Sequence, residues 1–174
     1  MRTSVNHNPS DEADDVYLSL GSNIEDREEN LRTSVNELSS IGEIVKVSSI
    51  FQTEPWGRRD QNDFLNIACI LKCGFAPLDL LEAILEIERR MGRMRGAEWS
   101  PRTIDIDIVF IGDSLIDEPG LTVPHPHFHQ RRFVLEPLME IAPEFQHPKF
   151  GKTISQLHKS CSDPCEVNLI KRWN

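Results

Sequence analysis

Apolar and polar positions change period repeatedly along the chain, and each change marks an element. Val16 to Leu20 is a short apolar run that predicts a strand ending at Gly21-Ser22-Asn23. Leu31, Val35 and Leu38 then recur at i, i+4 and i+7, the spacing of a helix. Glu25, Asp26 and Glu28 in its first turn suit the positive end of the helix dipole. Glu43 to Gln52 carries Ile44, Val45, Val47, Ile50 and Phe51 and predicts a second strand; Phe64 to Cys73 predicts a third. Between these two strands, Thr53 to Gln61 is a polar loop punctuated by Pro55 and Gly57. Pro77 opens a second helix, Leu80, Ile84, Ile87 and Met91 keep its spacing, and Gly92 closes it. A charged loop holding Trp99 leads into Thr103 to Ile111, an alternating β-branched strand. Ile104, Ile106, Ile108 and Phe110 are expected on its core face, with Asp105 and Asp107 together on the other. Beyond a turn at Gly112-Asp113-Ser114, helical turns after Arg131, a short helix near Ile154 to Lys159 and a strand near Glu166 to Arg172 complete the pattern.

This order predicts an α+β protein: a ferredoxin-like βαββαβ antiparallel sheet with helices on one face, plus a C-terminal extension. The other face is expected to be free for ligand. The 174 residues suit one domain, residues 16–174, preceded by an acidic leader, residues 1–15, expected to be disordered. No apolar run approaches the ~20 residues of a membrane span, and Met1 to Asp15 lacks a signal-peptide core, so a cytoplasmic protein is expected, and a monomer. The net charge of −9 argues against a nucleic-acid surface. Cys69/Cys73 and Cys161/Cys165 form two C-x₃-C pairs that could suggest zinc, but no turn residues bracket the first pair, which lies in a predicted strand, and reduced thiols are expected.

Charge is nevertheless unevenly spread. Arg89, Arg90, Arg93, Arg95 and Arg102 crowd one segment, and Arg131-Arg132 form a second cluster. Two carboxylates sharing a strand face repel unless a cation neutralises them, and Mg²⁺ is the usual hard divalent ion. Asp-x-Asp alone is equally compatible with a solvated strand face. With Arg102 three residues upstream, it becomes a place for a polyanion chelated to a metal. No P-loop or dinucleotide-binding glycine fingerprint is present, so phosphate binding falls to metal and Arg rather than to a backbone nest. His125, His127 and His129 alternate, but Pro126 interrupts any strand, which favours His125 as a phosphate donor over a three-His metal site. Trp56 and Trp99 in charged loops could stack on a flat heterocycle, whereas Phe64 and Phe133 could equally be core. Read this far, the residues also admit a metal-dependent hydrolase or a non-enzymatic binding module.

Six segments carry a resemblance over nearly the whole chain from Val16. They are Tyr17-Leu18-Ser19-Leu20-Gly21-Ser22-Asn23, Thr53-Glu54-Pro55-Trp56-Gly57, Gln61-x-x-Phe64-Leu65-Asn66, Pro101-Arg102-Thr103-Ile104-Asp105-Ile106-Asp107, Pro124-His125-Pro126 and Arg131-x-Phe133-Val134-Leu135-x-Pro137-Leu138. In this order and spacing they closely resemble the 6-hydroxymethyl-7,8-dihydropterin pyrophosphokinases of folate biosynthesis. The resemblance implies transfer of diphosphate from ATP to the pterin hydroxymethyl group, releasing AMP. It implies two Mg²⁺ held by Asp105 and Asp107, and phosphate binding by Arg93, Arg102, His125 and Arg131, with Arg93 and Arg102 counted among the catalytic residues. Glu88 and Trp99 are implied at the nucleotide end. Phe64 and Phe133 would sandwich the pterin, Asn66 would read its polar edge, and Thr53, Glu54 and Trp56 would complete that pocket. Ser100, Gly120 and His127 depart from the residues usual at those positions.

Overall fold

The computed structural model describes residues 13–55, 61–93 and 102–174. Trp56, Arg95, Glu98, Trp99 and residues 1–12 of the leader lie outside the described residues. The first sheet runs in the order β5-β1-β4-β3-β8, with β2 also paired to β4 and every pairing antiparallel. Its strands are β1 (Asp14–Ser22), β2 (Glu43–Val47), β3 (Ile50–Thr53), β4 (Phe64–Cys73), β5 (Asp105–Ile111) and β8 (Val167–Lys171). With α1 (Arg27–Leu38) and α2 (Pro77–Arg90), this is the βαββαβ order expected. A hairpin of β6 (Ile116–Glu118) and β7 (Leu121–Val123) turns at Gly120, whose φ of 89° falls in the left-handed region glycine tolerates.

The alternation in β1 separates two cores. Val16, Leu18 and Leu20 face α1 and α2, meeting Leu31, Leu38, Leu80, Ile84 and Ile87. Each such fully buried Leu or Ile contributes about 2 kcal/mol, which makes the helical stripes, rather than local propensity, the reason α1 and α2 stay docked. Asp26 caps α1 by accepting the Glu29 N–H at 3.1 Å. Tyr17 points the other way into a second core with Ala68, Ile70, Val109, Phe110 and Phe128. That core is closed by the C-terminal extension, whose α3 (Arg132–Ile141) presents Val134, Leu135, Leu138 and Ile141, and whose α4 (Ile154–Ser160) presents Ile154 and Leu157. The second face is therefore only partly free. Its polar residues, among them Ser19, Asn66, Asp105 and Asp107, gather at the end beyond this apolar cluster.

Three local expectations change. Asp14 and Asp15, counted with the leader, begin β1 and pair with Cys73 and Lys72. The strand expected over 43–52 breaks at Ser48-Ser49: Ser48 stays on β4, its N–H donating to the Ala68 carbonyl and its Oγ replacing the carbonyl that would accept the Ala68 N–H, while Ser49 turns away and donates through N and Oγ to Glu140 of α3. Phe110 lies in the second core, not with Ile104, Ile106 and Ile108. The register against β1 slips between Tyr17 (opposite Phe110) and Leu18 (opposite Ile108), so Val109 is an extra residue and the side chains beyond it exchange faces. The Val109 carbonyl released by this bulge accepts the His125 N–H at 3.0 Å, bringing His125 to the edge of β5. All four cysteines are free, and burial pushes the Cys69 thiol up to about 12, leaving it an inert core residue.

Candidate active site

Asp105 and Asp107 share the second face at the start of β5, opposite Gly21 and Ser19 of β1. On the next strand Asn66 pairs with Gly21, and Phe51 and Thr53 of β3 pair with Asn66 and Phe64. The pleat thus sets both carboxylates, Asn66, Phe64 and Thr53 along one surface. Gly21 leaves room for them: a Cβ would lie 3.0 Å from Asn66 Oδ1 and 3.5 Å from Phe64 Cδ1, so the Asn66 amide would have to shift. The buried Asn66 amide donates to Thr53 Oγ1 at 2.8 Å, which fixes which end of the amide is left for a ligand. Glu54, just past β3, is exposed.

Cations surround the first aspartate. Arg93 reaches Asp105 Oδ1 at 2.8 Å, and Arg102 holds Oδ2. Glu88, 3% exposed, accepts the Ile106 N–H at 2.7 Å and pairs with Arg93. Its carboxylate thereby ties the end of α2, the Arg93 side chain and the β5 backbone into one unit. Burial pushes its carboxyl pKa up, against the opposing pull of the Ile106 N–H and Arg93. Arg102 is fixed through its backbone by Asn23, whose Oδ1 accepts the Arg102 N–H at 2.8 Å and whose N–H donates to the Arg102 carbonyl at 3.2 Å.

Asp107 differs. Among the described residues its carboxylate has no hydrogen-bond or ion-pair partner. Burial first, and the Asp105 charge second, push it up to about 7, with Arg131 the leading opposing charge. His125 is pushed down to about 4 by burial, then by Arg131 and His127. Its Nδ1 accepts the His127 N–H at 3.2 Å, so the neutral ring carries its hydrogen on Nε2 as a donor. Arg131 ends the turn before α3 with its guanidinium 5.9 Å from the centre of the Phe133 ring, and both side chains are half-buried.

Charge links Glu88, Arg93, Arg102, Asp105, Asp107, His125 and Arg131, Thr53, Phe64 and Asn66 lie along the neighbouring strands, and Phe133 stands against Arg131. The expected roles of Trp56 and Trp99 fall outside the described residues. Sequence reasoning gave no role to Asn23 or Gly21. Both contribute through tertiary contacts, and only the Gly-Ser-Asn ending of β1 hinted at a specialised strand end.

The donor set fits magnesium. Among the described residues no group of three or more His, Cys, Asp or Glu could hold a metal. Mg²⁺ commonly takes one or two carboxylates and completes its shell with water and substrate phosphates. An Asp107 carboxylate with no partner among the described residues, beside Asp105, is such a partial site.

The model of the 7,8-dihydro-6-hydroxymethylpterin-pyrophosphokinase family matches residues 17–143. The 2-amino-4-hydroxy-6-hydroxymethyldihydropteridine pyrophosphokinase of Pseudomonas aeruginosa is 39% identical over 148 residues, covering 84% of this chain and 91% of that protein. The Bacillus subtilis protein of the same name is 44% identical over 133 residues, covering 75% and 80%. The chain also superposes on the crystal structure of wild-type Plasmodium falciparum HPPK-DHPS with pteroate at a TM-score of 0.68 and 18% identity. That match covers 86% of this chain but 43% of the longer one, and shows the shared fold.

Proposed function

The chain belongs to the 7,8-dihydro-6-hydroxymethylpterin-pyrophosphokinase family, enzymes of folate biosynthesis that use ATP as co-substrate, and on that premise we propose how its own residues divide the work. Diphosphate passes from ATP to the hydroxymethyl oxygen of the reduced pterin, leaving AMP. Asp105 and Asp107 would hold two Mg²⁺, which when bound neutralise phosphate charge and lower the pKa of the acceptor hydroxyl. The observation that carries this assignment is an Asp107 carboxylate raised by burial and by Asp105, with no hydrogen-bond or ion-pair partner among the described residues, beside Arg93, Arg102 and Arg131.

Arg93, Arg102 and Arg131 bind the triphosphate, and His125 donates to it from Nε2 without adding charge. Glu88 acts at the nucleotide end by holding Arg93 against β5. Phe64 and Phe133 stack on the pterin, and Asn66 and Thr53 read its polar edge. Glu54 and Trp56 complete the acceptor side and Trp99 the nucleotide side. Positioning and charge neutralisation then supply most of the rate, and no separate general base is required. A monomer working in the cytoplasm is part of this proposal. No helix among the described residues is long and apolar enough to cross a membrane.

AMP release tests the assignment. The protein with Mg²⁺ and ATP should form AMP only when the hydroxymethylpterin is added, and Asp107→Ala should abolish this while retaining the fold. Wild-type turnover in that variant would overturn the two-metal reading.

A further inference from the structure

Phe133 sits in the first turn of α3, and that turn is held by a segment outside the site described above. Arg131, the residue preceding α3, supplies no side-chain cap to the helix. The open Arg132 N–H instead donates to Asp163 Oδ2 at 2.9 Å, thirty-one positions later in the chain. The Arg132 side chain returns the contact, its Nε donating to the Asp163 carbonyl at 3.1 Å and its Nη2 to the Cys161 carbonyl at 3.1 Å. Asp163 Oδ1 accepts the Cys165 N–H at 3.0 Å, so both oxygens of this buried carboxylate are used. Directly afterwards the chain enters β8, where Val167 pairs with Thr53 and Asn168 with Gln52.

Residues 161–168 therefore tie the start of α3, which carries Phe133, to β3, which carries Thr53, whose hydroxyl orients the Asn66 amide. The far end of α3 is separately fixed to the sheet by Glu140 on Ser49 and by Lys46 on the Ile141 carbonyl. With that end anchored and Val134 and Leu135 in the second core, the Arg132–Asp163 contact is the polar hold on the first turn. The contact borders an open polar cavity of about 540 Å³, lined by Arg132, Glu136, Asp163, Cys165, Glu166 and Asn168, and belongs to neither apolar core. We propose that Arg132 and Asp163 are positioning residues that set Phe133 against the pterin, so that the C-terminal extension tunes affinity for the acceptor. This rests on the assignment of Phe133 as a pterin-stacking residue.

A double-mutant cycle on the full chain tests it, with KM for the pterin, KM for ATP and kcat read by AMP release. Asp163→Ala should raise the pterin KM about 5-fold, leaving ATP KM and kcat within about 2-fold. A merely structural effect would instead lower kcat through loss of active protein and leave both KM values alone. Phe133→Ala should raise the pterin KM about 10-fold or more, and adding Asp163→Ala to it should cause no further rise. If Asp163→Ala does not fold, Arg132→Ala keeps the backbone bond to Asp163 and should still raise the pterin KM about 3-fold. A wild-type pterin KM in the folded Asp163→Ala or Arg132→Ala protein, alongside a raised one in Phe133→Ala, overturns the positioning role. An unchanged pterin KM in Phe133→Ala overturns the stacking assignment, and the positioning role with it.

Discussion

Replacing Asp107 with Asn removes a charge that the unliganded fold resists, and its effect on stability has a definite sign. The carboxyl moves from its ordinary 3.8 to about 7 in the folded protein because burial and Asp105 oppose ionisation. Between these values the folded state binds a proton that the unfolded chain has released, so stability falls as pH rises through this window. The span corresponds to about 4 kcal/mol if Asp107 alone is considered, an upper bound because Arg131 and solvent share the charge. Asn keeps the shape and lacks the titration. Urea unfolding of wild type and Asp107→Asn, without metal or nucleotide, should therefore give nearly parallel results near pH 4 and diverge towards about pH 8, with the variant more stable by about 2–4 kcal/mol at the upper end. Saturating Mg²⁺ with a non-hydrolysable ATP analogue should shrink or reverse the difference, since the ionised carboxylate then has a partner. A difference that stays flat across the range, or grows as pH falls, would refute the assignment of Asp107 as a buried carboxylate whose ionisation needs a bound cation.

Glu88→Gln should retain an acceptor for the Ile106 N–H and lose the charge that holds Arg93. A thermal or urea series should show a loss of about 1–3 kcal/mol, and kinetics a larger rise in KM for ATP than for the pterin. Gly21→Ala places a methyl 3.0 Å from Asn66 Oδ1, so pterin binding measured by calorimetry should weaken about 10-fold while nucleotide binding is unchanged. In NMR titrations of the free protein, His125 should stay neutral until about pH 4, well below an ordinary histidine, because burial and Arg131 oppose its protonation. A midpoint near 6.5 would contradict the site's electrostatics.

Much of this was legible before any coordinates. The period-2 run at Asp105 to Ile108 gave the shared carboxylate face, because strand alternation is fixed by local geometry. The 3.6-residue stripes of α1 and α2 likewise appear where Leu31, Leu38, Leu80 and Ile84 placed them. What escaped depends on distant partners. The Val109 bulge, which sends Phe110 to the opposite core, is a mismatch of register between two strands and leaves no trace in one of them. The break at Ser48-Ser49 needs Glu140, ninety-one positions away, to receive the serine donors. Glu88 reads as an ordinary helix residue until the Ile106 N–H and Arg93 are seen to converge on it. The second face, expected to be free, is half-covered because α3 carries its own apolar stripe of Val134, Leu135, Leu138 and Ile141.

The most direct measurement is a crystal structure of the protein with a non-hydrolysable ATP analogue, the hydroxymethylpterin and Mn²⁺ in place of Mg²⁺, located by anomalous scattering. Two manganese ions should lie on Asp105 and Asp107 with the triphosphate between them and the pterin stacked at Phe133 and Phe64. Manganese bound elsewhere, or Asp107 turned away from the phosphates, would contradict the assignment of these two carboxylates as the metal centre.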